Sequence, residues 1–312
     1  MSKIEAAKGL IDRRSGLVAG YLSRDSVIGY ASMIPTLLIL FVAVFIPVIY
    51  AITASVHEIH ALNPEWTWTG IGNYLAILGN SAFYNALKNG IVYTFGSVLF
   101  QLSVGIGVAL LLDSIRSRLL TAFSLSLYLI PSAVITLVAR DMFREQVGIF
   151  WKILNEIGVI SVGFNFWADG ATAMLMVIVV GSYKFSIFVT LMVLARLQSI
   201  PDSYYEAAKI NGATTIQVFR DVTWPSIRGV VAIVVLLRGI WMFNNFDVIW
   251  ILTSGGPGKA TTTLPILAFR TMFEDLAYGL SSAIAVVMFV ILIIGGVVYF
   301  KFFSPEKEVA GT

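Results

Sequence analysis

The chain has 312 residues, 58% of them hydrophobic and 12% charged, with a net charge of +3 and no cysteine. Soluble domains carry about 25% charged residues, so half that share with this much apolar content places the chain in a membrane. The small, dispersed positive charge excludes a nucleic-acid footprint, and the lack of cysteine excludes disulfides and thiolate chemistry.

The first 26 residues hold no continuous apolar core. They read as an amphipathic N-terminal segment on the inner face, not as a cleavable signal. Six apolar runs follow. A bilayer core of about 30 Å needs roughly 20 such residues in a helix, so the runs predict an all-α membrane protein with six transmembrane helices between residues 27 and 303. The first run starts at Val27, the second at Gly90, the third at Leu119 and the fourth at Ala171. The fifth covers Gly229 to about Ser254, and the sixth Tyr278 to about Phe300. Pro35, Pro47 and Pro131 fall inside runs, which membranes tolerate because neighbouring groups re-satisfy the freed backbone. His57 and His60 lie in an expected outer loop. Without a carboxylate set beside them they read as two solvated side chains, and no metal site is predicted.

Positive charge sets orientation. With the N-terminus inside, 13 Lys and Arg fall in inner segments and six in outer ones. Lys184 and Arg238 remain within runs. Both termini are then cytoplasmic, including the tail 304–312. So is the loop of about 200–225 between runs four and five.

That loop is the least apolar stretch between two spans. Pro201 and Asp202 suit a helix start. Gly212 supplies a left-handed position that ends it. Thr214 with Gln217 forms a possible capping box for a second short helix, which Pro225 breaks. Ala207 and Ala208 keep one face flat, and Glu206 offers a charge that an arginine can bind. Pattern alone is equally compatible with an amphipathic helix resting on lipid.

The wording of the loop goes further. "EAAKINGATTIQVFRDVTWPSIR" resembles the signature loop of binding-protein-dependent ABC importer permeases: E-A-A, three residues, G, then an apolar-x-x-P. Here these are Glu206, Ala207, Ala208, Gly212, Val222 and Pro225. Val222 and Trp224 replace the usual isoleucine and leucine. In that family the loop is a coupling helix seated on the ATPase subunit. "FNNFD" and "TSGGPG", from Phe243, resemble carbohydrate permeases of the maltose type, as does "GIGNYLAILGNSAFYNALKNGIVYT" from Gly70. A second "EAAKG" at Glu5–Gly9 lacks the spacing, because Glu5 plus six is Ile11. "SGGPGKATT" fails as a phosphate loop: position 253 is Thr253 and Ala260 follows Lys259. The resemblance therefore implies a separate ATPase dimer that carries ATP and Mg, with no cofactor and no catalytic residue in this chain. It also implies a second, non-identical permease and an extracytoplasmic sugar-binding protein, in a bacterial inner membrane.

Ionisable groups at membrane depth cost roughly 2.5–3.5 kcal/mol each on insertion scales and usually face a cavity or a partner. At about 1.5 Å per residue, Arg238 lies near mid-bilayer and Lys184 at a similar depth on the fourth run. In the sugar permeases that resemble this chain, the sugar is held by an aromatic pair on span four and asparagines on span five. The matching positions are Tyr183, Phe188 and Asn245, with Lys184, Arg238, Met242 and Asp247 alongside. Family members commonly carry small or neutral residues where Arg238 falls. Arg238 then has three readings: it pairs with Asp247, with an acid on a partner subunit, or with an anionic group of the substrate. Phe188 and Met242 also read as packing residues. The rival functions are a permease of the same superfamily for a non-sugar solute, a secondary transporter, and a membrane-embedded enzyme. No internal repeat supports the transporter. Only Asp247 lies within the runs to serve the enzyme.

Overall fold

A computed structural model describes residues 24–60, 62–115, 118–126 and 130–303. The expected N-terminal segment, up to residue 23, and the tail 304–312 lie outside the described residues. Among those residues, five helices are long and apolar enough to cross a membrane: Ile28–Ser55, Ser81–Ile115, Gly170–Leu197, Thr215–Phe243 and Tyr278–Phe302. The chain is a multi-pass, mostly helical membrane protein.

The chain divides into two compact units at Ala54/Ser55. The described part of the first is one helical rod: α1 (Arg24–Leu40), a π-turn (Phe41–Phe45), and α2 (Ile46–Ser55), whose last residue opens the second unit. Pro35 stays inside α1. Pro47 sits second in α2, directly after the π-turn. A proline ring collides with the carbonyl four residues back and offers no N–H. Widening that turn to π geometry removes the collision.

The second unit begins with an antiparallel hairpin, β1 (His57–His60) and β2 (Asn63–Trp68). The chain is therefore not purely helical, and the His57 ring meets Trp66 and Trp68 edge-on at 5.3 and 5.1 Å. Then come α3 (Gly72–Leu78), α4 (Ser81–Ile115), α5 (Arg118–Ser126), α6 (Ser132–Met142), α7 (Ile149–Glu156) and α8 (Gly170–Leu197). The remaining elements are α9 (Asp202–Ile210), α10 (Thr215–Val218), a second π-turn (Phe219–Thr223), α11 (Trp224–Phe243), α12 (Asp247–Thr253), α13 (Leu264–Phe273) and α14 (Tyr278–Phe302).

Two of the predicted runs are not single helices. The third is divided into α5 and α6 around Pro131, which takes the N-cap position of α6. The fifth ends at Phe243 rather than near Ser254. There Asn244 turns its side-chain amide back to the Ile240 carbonyl at 3.1 Å, a local bond that competes with helix continuation. Pro225 does not break the chain's helix either. It lies in the first turn of α11, after the second π-turn, in the same arrangement as Pro47.

The centre of the unit is α4 against α8. A Cβ at Gly105 would lie 2.5 Å from Val189 Cβ and 2.8 Å from the Ser186 carbonyl, and one at Gly96 2.8 Å from Ile178. These glycines let two apolar helices meet backbone to backbone. The pairings rise together along both helices, so α4 and α8 run parallel. The chain must therefore return between them, over the stretch that holds α5, α6 and α7. α11 packs antiparallel, with Arg238 opposite Gln101 and Asn245 opposite Tyr93. α14 closes the far side: Ile284 and Met288 pack with Phe83, Ala86 and Phe243.

Candidate functional site

At one end of the second unit, the 200–225 segment leaves α8 and feeds α11. Pro201 takes the N-cap position of α9, with Asp202 in its first turn. Gly212 has φ +73°, the left-handed value that glycine adopts without strain. Thr214 Oγ1 accepts from the Gln217 backbone N–H at 3.4 Å, and Gln217 Oε1 accepts from the Thr214 backbone N–H at 2.7 Å. This reciprocal box starts α10. Arg220 and Asp221, both exposed, form a two-point ion pair at 2.7 and 3.1 Å.

No residue of α9 is buried. Glu206, Ala207 and Pro225 are exposed and Ala208 is half-buried. Ile210 and Ile216 are 86% and 79% exposed. The ends of the segment, by contrast, are fixed. Arg196 Nε donates to the Ser226 carbonyl at 2.8 Å, and Ile200 and Ile227 are buried in one cluster with Ala109, Leu112 and Leu197. An exposed, preformed helix–turn–helix is thus fastened to the ends of α8 and α11.

The polar groups within the bundle form a second constellation. Arg238 is only 3% exposed. Its Nε donates to Gln101 Oε1 at 2.6 Å, and Nη2 approaches Met242 Sδ at 3.7 Å. The guanidinium lies over Phe185 at 4.6 Å and near Trp241 at 5.2 Å and Phe188 at 6.0 Å. Gln101 Nε2 donates to the same sulfur at 3.2 Å. Tyr93 Oη donates to Asn245 Oδ1 at 3.3 Å. Arg238, Met242, Phe188 and Asn245 are therefore brought together. Tyr183 and Asp247 are exposed and Lys184 is half-buried. Met242 is a buried acceptor and packing residue.

Sequence reasoning missed Gln101, Tyr93, Phe185 and Trp241. Gln101 carried a signal: it is the one amide inside the apolar stretch Ile91–Leu112, and such a group needs a partner when buried. Tyr93, Phe185 and Trp241 carried none, because aromatic residues are ordinary in a span.

At the opposite end, the Gly-rich loop 254–263 is pinned from both sides. Asn89 Nδ2 donates to the Lys259 and Thr262 carbonyls at 3.1 and 3.0 Å, and Asn85 Nδ2 also reaches Lys259 at 3.1 Å. Thr262 Oγ1 donates to the Gly255 carbonyl at 2.9 Å. Asp169 caps α8 nearby, accepting from Ala171 and Thr172 backbone N–H groups at 3.0 Å each. The Thr172 N–H, foremost, holds this carboxyl below the usual aspartate range.

Residues 101–306 match a family described as "Binding-protein-dependent transport system inner membrane component". The trehalose/maltose transport system permease protein MalF of Thermococcus litoralis is 32% identical, over 89% of this chain and 94% of its own. The arabinooligosaccharides transport system permease protein AraP of Halalkalibacterium halodurans is 31% identical, over 90% and 89%. A bacterial alginate ABC transporter, crystallised with an alginate pentasaccharide-bound periplasmic protein, contains a chain that superposes with a TM-score of 0.77 at 18% identity. The overlap covers 88% of this chain and 93% of that one, a likeness of fold.

Proposed function

The chain belongs to the family of binding-protein-dependent transport system inner membrane components, a permease component of an importer rather than an enzyme, and we propose that its cargo is a sugar or sugar derivative. Relatives named for trehalose/maltose and arabinooligosaccharide transport support the sugar. The broken leg α5–α6 counts as a sixth crossing in this reading, because parallel α4 and α8 need a return between them. Both termini and the 200–225 segment then face the cytoplasm of a bacterial cell, and the loop 254–263 faces outward.

One observation carries the mechanism: the α9–Gly212–α10 segment is exposed yet clamped to two spans through Arg196 and Ser226. A separate ATPase dimer that holds ATP and Mg grips Glu206, the flat Ala207–Ala208 face and the exposed Ile210 and Ile216. Closure of that dimer moves the segment, and the clamp passes the movement to α8 and α11. Those two helices carry the Arg238 cluster, so the pathway changes there. A ligand shifts such an equilibrium only by its differential affinity for the two states. A second, non-identical permease completes the pathway, and an extracytoplasmic binding protein supplies the sugar. Tyr183, Lys184, Phe188, Arg238, Met242, Asn245 and Asp247 belong to or support the path. Trp241, 47% exposed beside Phe188 at 5.3 Å, offers the aromatic face for sugar C–H surfaces.

The test uses the reconstituted complex. Glu206→Lys and Gly212→Val are expected to assemble normally but to lose ATPase stimulation by the sugar-loaded binding protein. Unchanged stimulation in both variants refutes the coupling role.

A further inference from the structure

Two adjoining cavities of about 370 and 220 Å³ open beside the end of α6, at the same end of the bundle as the loop 254–263. They share Arg140, Trp167 and Leu252 in their walls. The larger adds Arg144, Asp141 and Leu137, so two cations face one carboxylate. Arg140 is oriented by its own bond: Nη1 donates to the Ile251 carbonyl at 3.1 Å. Arg144 stands exposed at the rim. Trp167 supplies the third element. Its half-buried ring stands in the wall of both cavities.

We propose that this cavity is an outer subsite for a saccharide residue bearing an oxyanion, such as a carboxylate, and this rests on the sugar-import reading above. The chemistry of the walls selects that class. Planar guanidinium forks match a carboxylate at two points. Asp141 accepts from sugar hydroxyls, and Trp167 with Leu137 and Leu252 packs the C–H faces. The larger volume alone equals roughly a dozen waters at about 30 Å³ each and falls at the lower end of small-ligand sites. An inorganic anion uses neither the apolar walls nor Asp141. The cavity is separate from the Arg238 cluster, which lies within the bundle on α4, α8 and α11.

The test titrates the whole nanodisc-embedded transporter, without its binding protein, calorimetrically with glucuronate and with glucose. Glucuronate is expected to bind at least about tenfold tighter than glucose, the worth of one charge-assisted contact. Arg144→Gln, at the exposed rim, is expected to weaken glucuronate about tenfold. Equal binding of the two sugars overturns the proposal, as does an unchanged titration in Arg144→Gln. Displacement of glucuronate by inorganic sulfate at matching affinity reduces the site to a simple anion hole and overturns the saccharide assignment. Loss of binding-protein association in Arg144→Gln with an intact glucuronate titration makes the cavity a docking socket, which also overturns it. The two readings fail separately. Wild type with sugar-stimulated ATPase but no glucuronate titration removes the subsite alone. Wild type with no ATPase response to any sugar-loaded binding protein removes the import reading.

Discussion

Replacing Gln101 with leucine isolates what anchors the Arg238 guanidinium. Both residues are buried, Gln101 fully and Arg238 at 3% exposure, and they meet at 2.6 Å. Leucine is close in volume, so the cavity contribution is small and the change removes mainly a hydrogen bond to a charged group. Such bonds are worth about 1.5–3 kcal/mol. The rings of Phe185 and Trp241 remain beside the guanidinium in the variant, which keeps the loss below the roughly 3–5 kcal/mol of a fully stripped buried charge. Gln101→Leu is therefore expected to lower unfolding free energy by about 1.5–3 kcal/mol, read by titrating the purified protein with denaturing detergent. Gln101→Glu, which offers Arg238 a carboxylate, is expected to lose less. A double-mutant cycle with Arg238→Leu then returns a coupling energy of about 1.5–3 kcal/mol. Wild-type stability in Gln101→Leu, or a coupling near zero, refutes the account of Gln101 as the anchor.

Three further outcomes are expected. Gly105→Ala sets a methyl group against Val189 and the Ser186 carbonyl, and overpacking of this kind costs about 1–3 kcal/mol, measurable in the same titration. Arg196→Gln loosens the clamp to Ser226 and should lower substrate-stimulated ATPase while sparing binding of the ATPase subunits, both assayed on purified complexes. The Asp169 carboxyl, whose folded pKa is lowered, contributes stability that is present above the ordinary unfolded value of about 3.9 and is lost as pH falls through the folded value. Asp169→Asn retains a good cap and should abolish this acid-dependent component of unfolding, whereas Asp169→Ala should remove both the component and the cap.

Much of the fold was legible because membrane spans are written in local composition. The runs from Val27, Ala171 and Tyr278 match helices beginning at or near those residues. The second helix starts earlier than its run, at Ser81, because Asn85, Lys88 and Asn89 dilute the apolar signal over two turns that remain helical. The turn chemistry of the 200–225 segment was legible for a different reason. Gly212 and the Thr214–Gln217 box depend on neighbours within a few residues, and short-range geometry is written in short-range sequence. The Arg238 cluster was only half legible. Its α11 members lie within one short stretch, but Gln101 and Tyr93 come from a helix some 140 residues earlier. Nothing local in either stretch says which will face the other.

Proline shows where local reading stops. Pro35, Pro47, Pro131 and Pro225 all lie in or beside apolar runs, and each carries the same defect: a missing N–H and a ring pressed on the preceding turn. The outcomes differ. Pro35 stays within α1, Pro131 divides α5 from α6, and Pro47 and Pro225 each follow a five-residue π-turn. Pro225 matters most, because it joins the exposed segment to α11. A broken helix at that point would let the segment swing free of the span. A π-turn keeps the chain helical from Thr215 to Phe243, so a push on α10 acts along a continuous rod that reaches Arg238. Within the signature spacing from Glu206 to Pro225, the proline thus sets the form of the junction on which the proposed coupling depends: one widened turn, with Thr223 and Ile227 buried, between the exposed segment and α11.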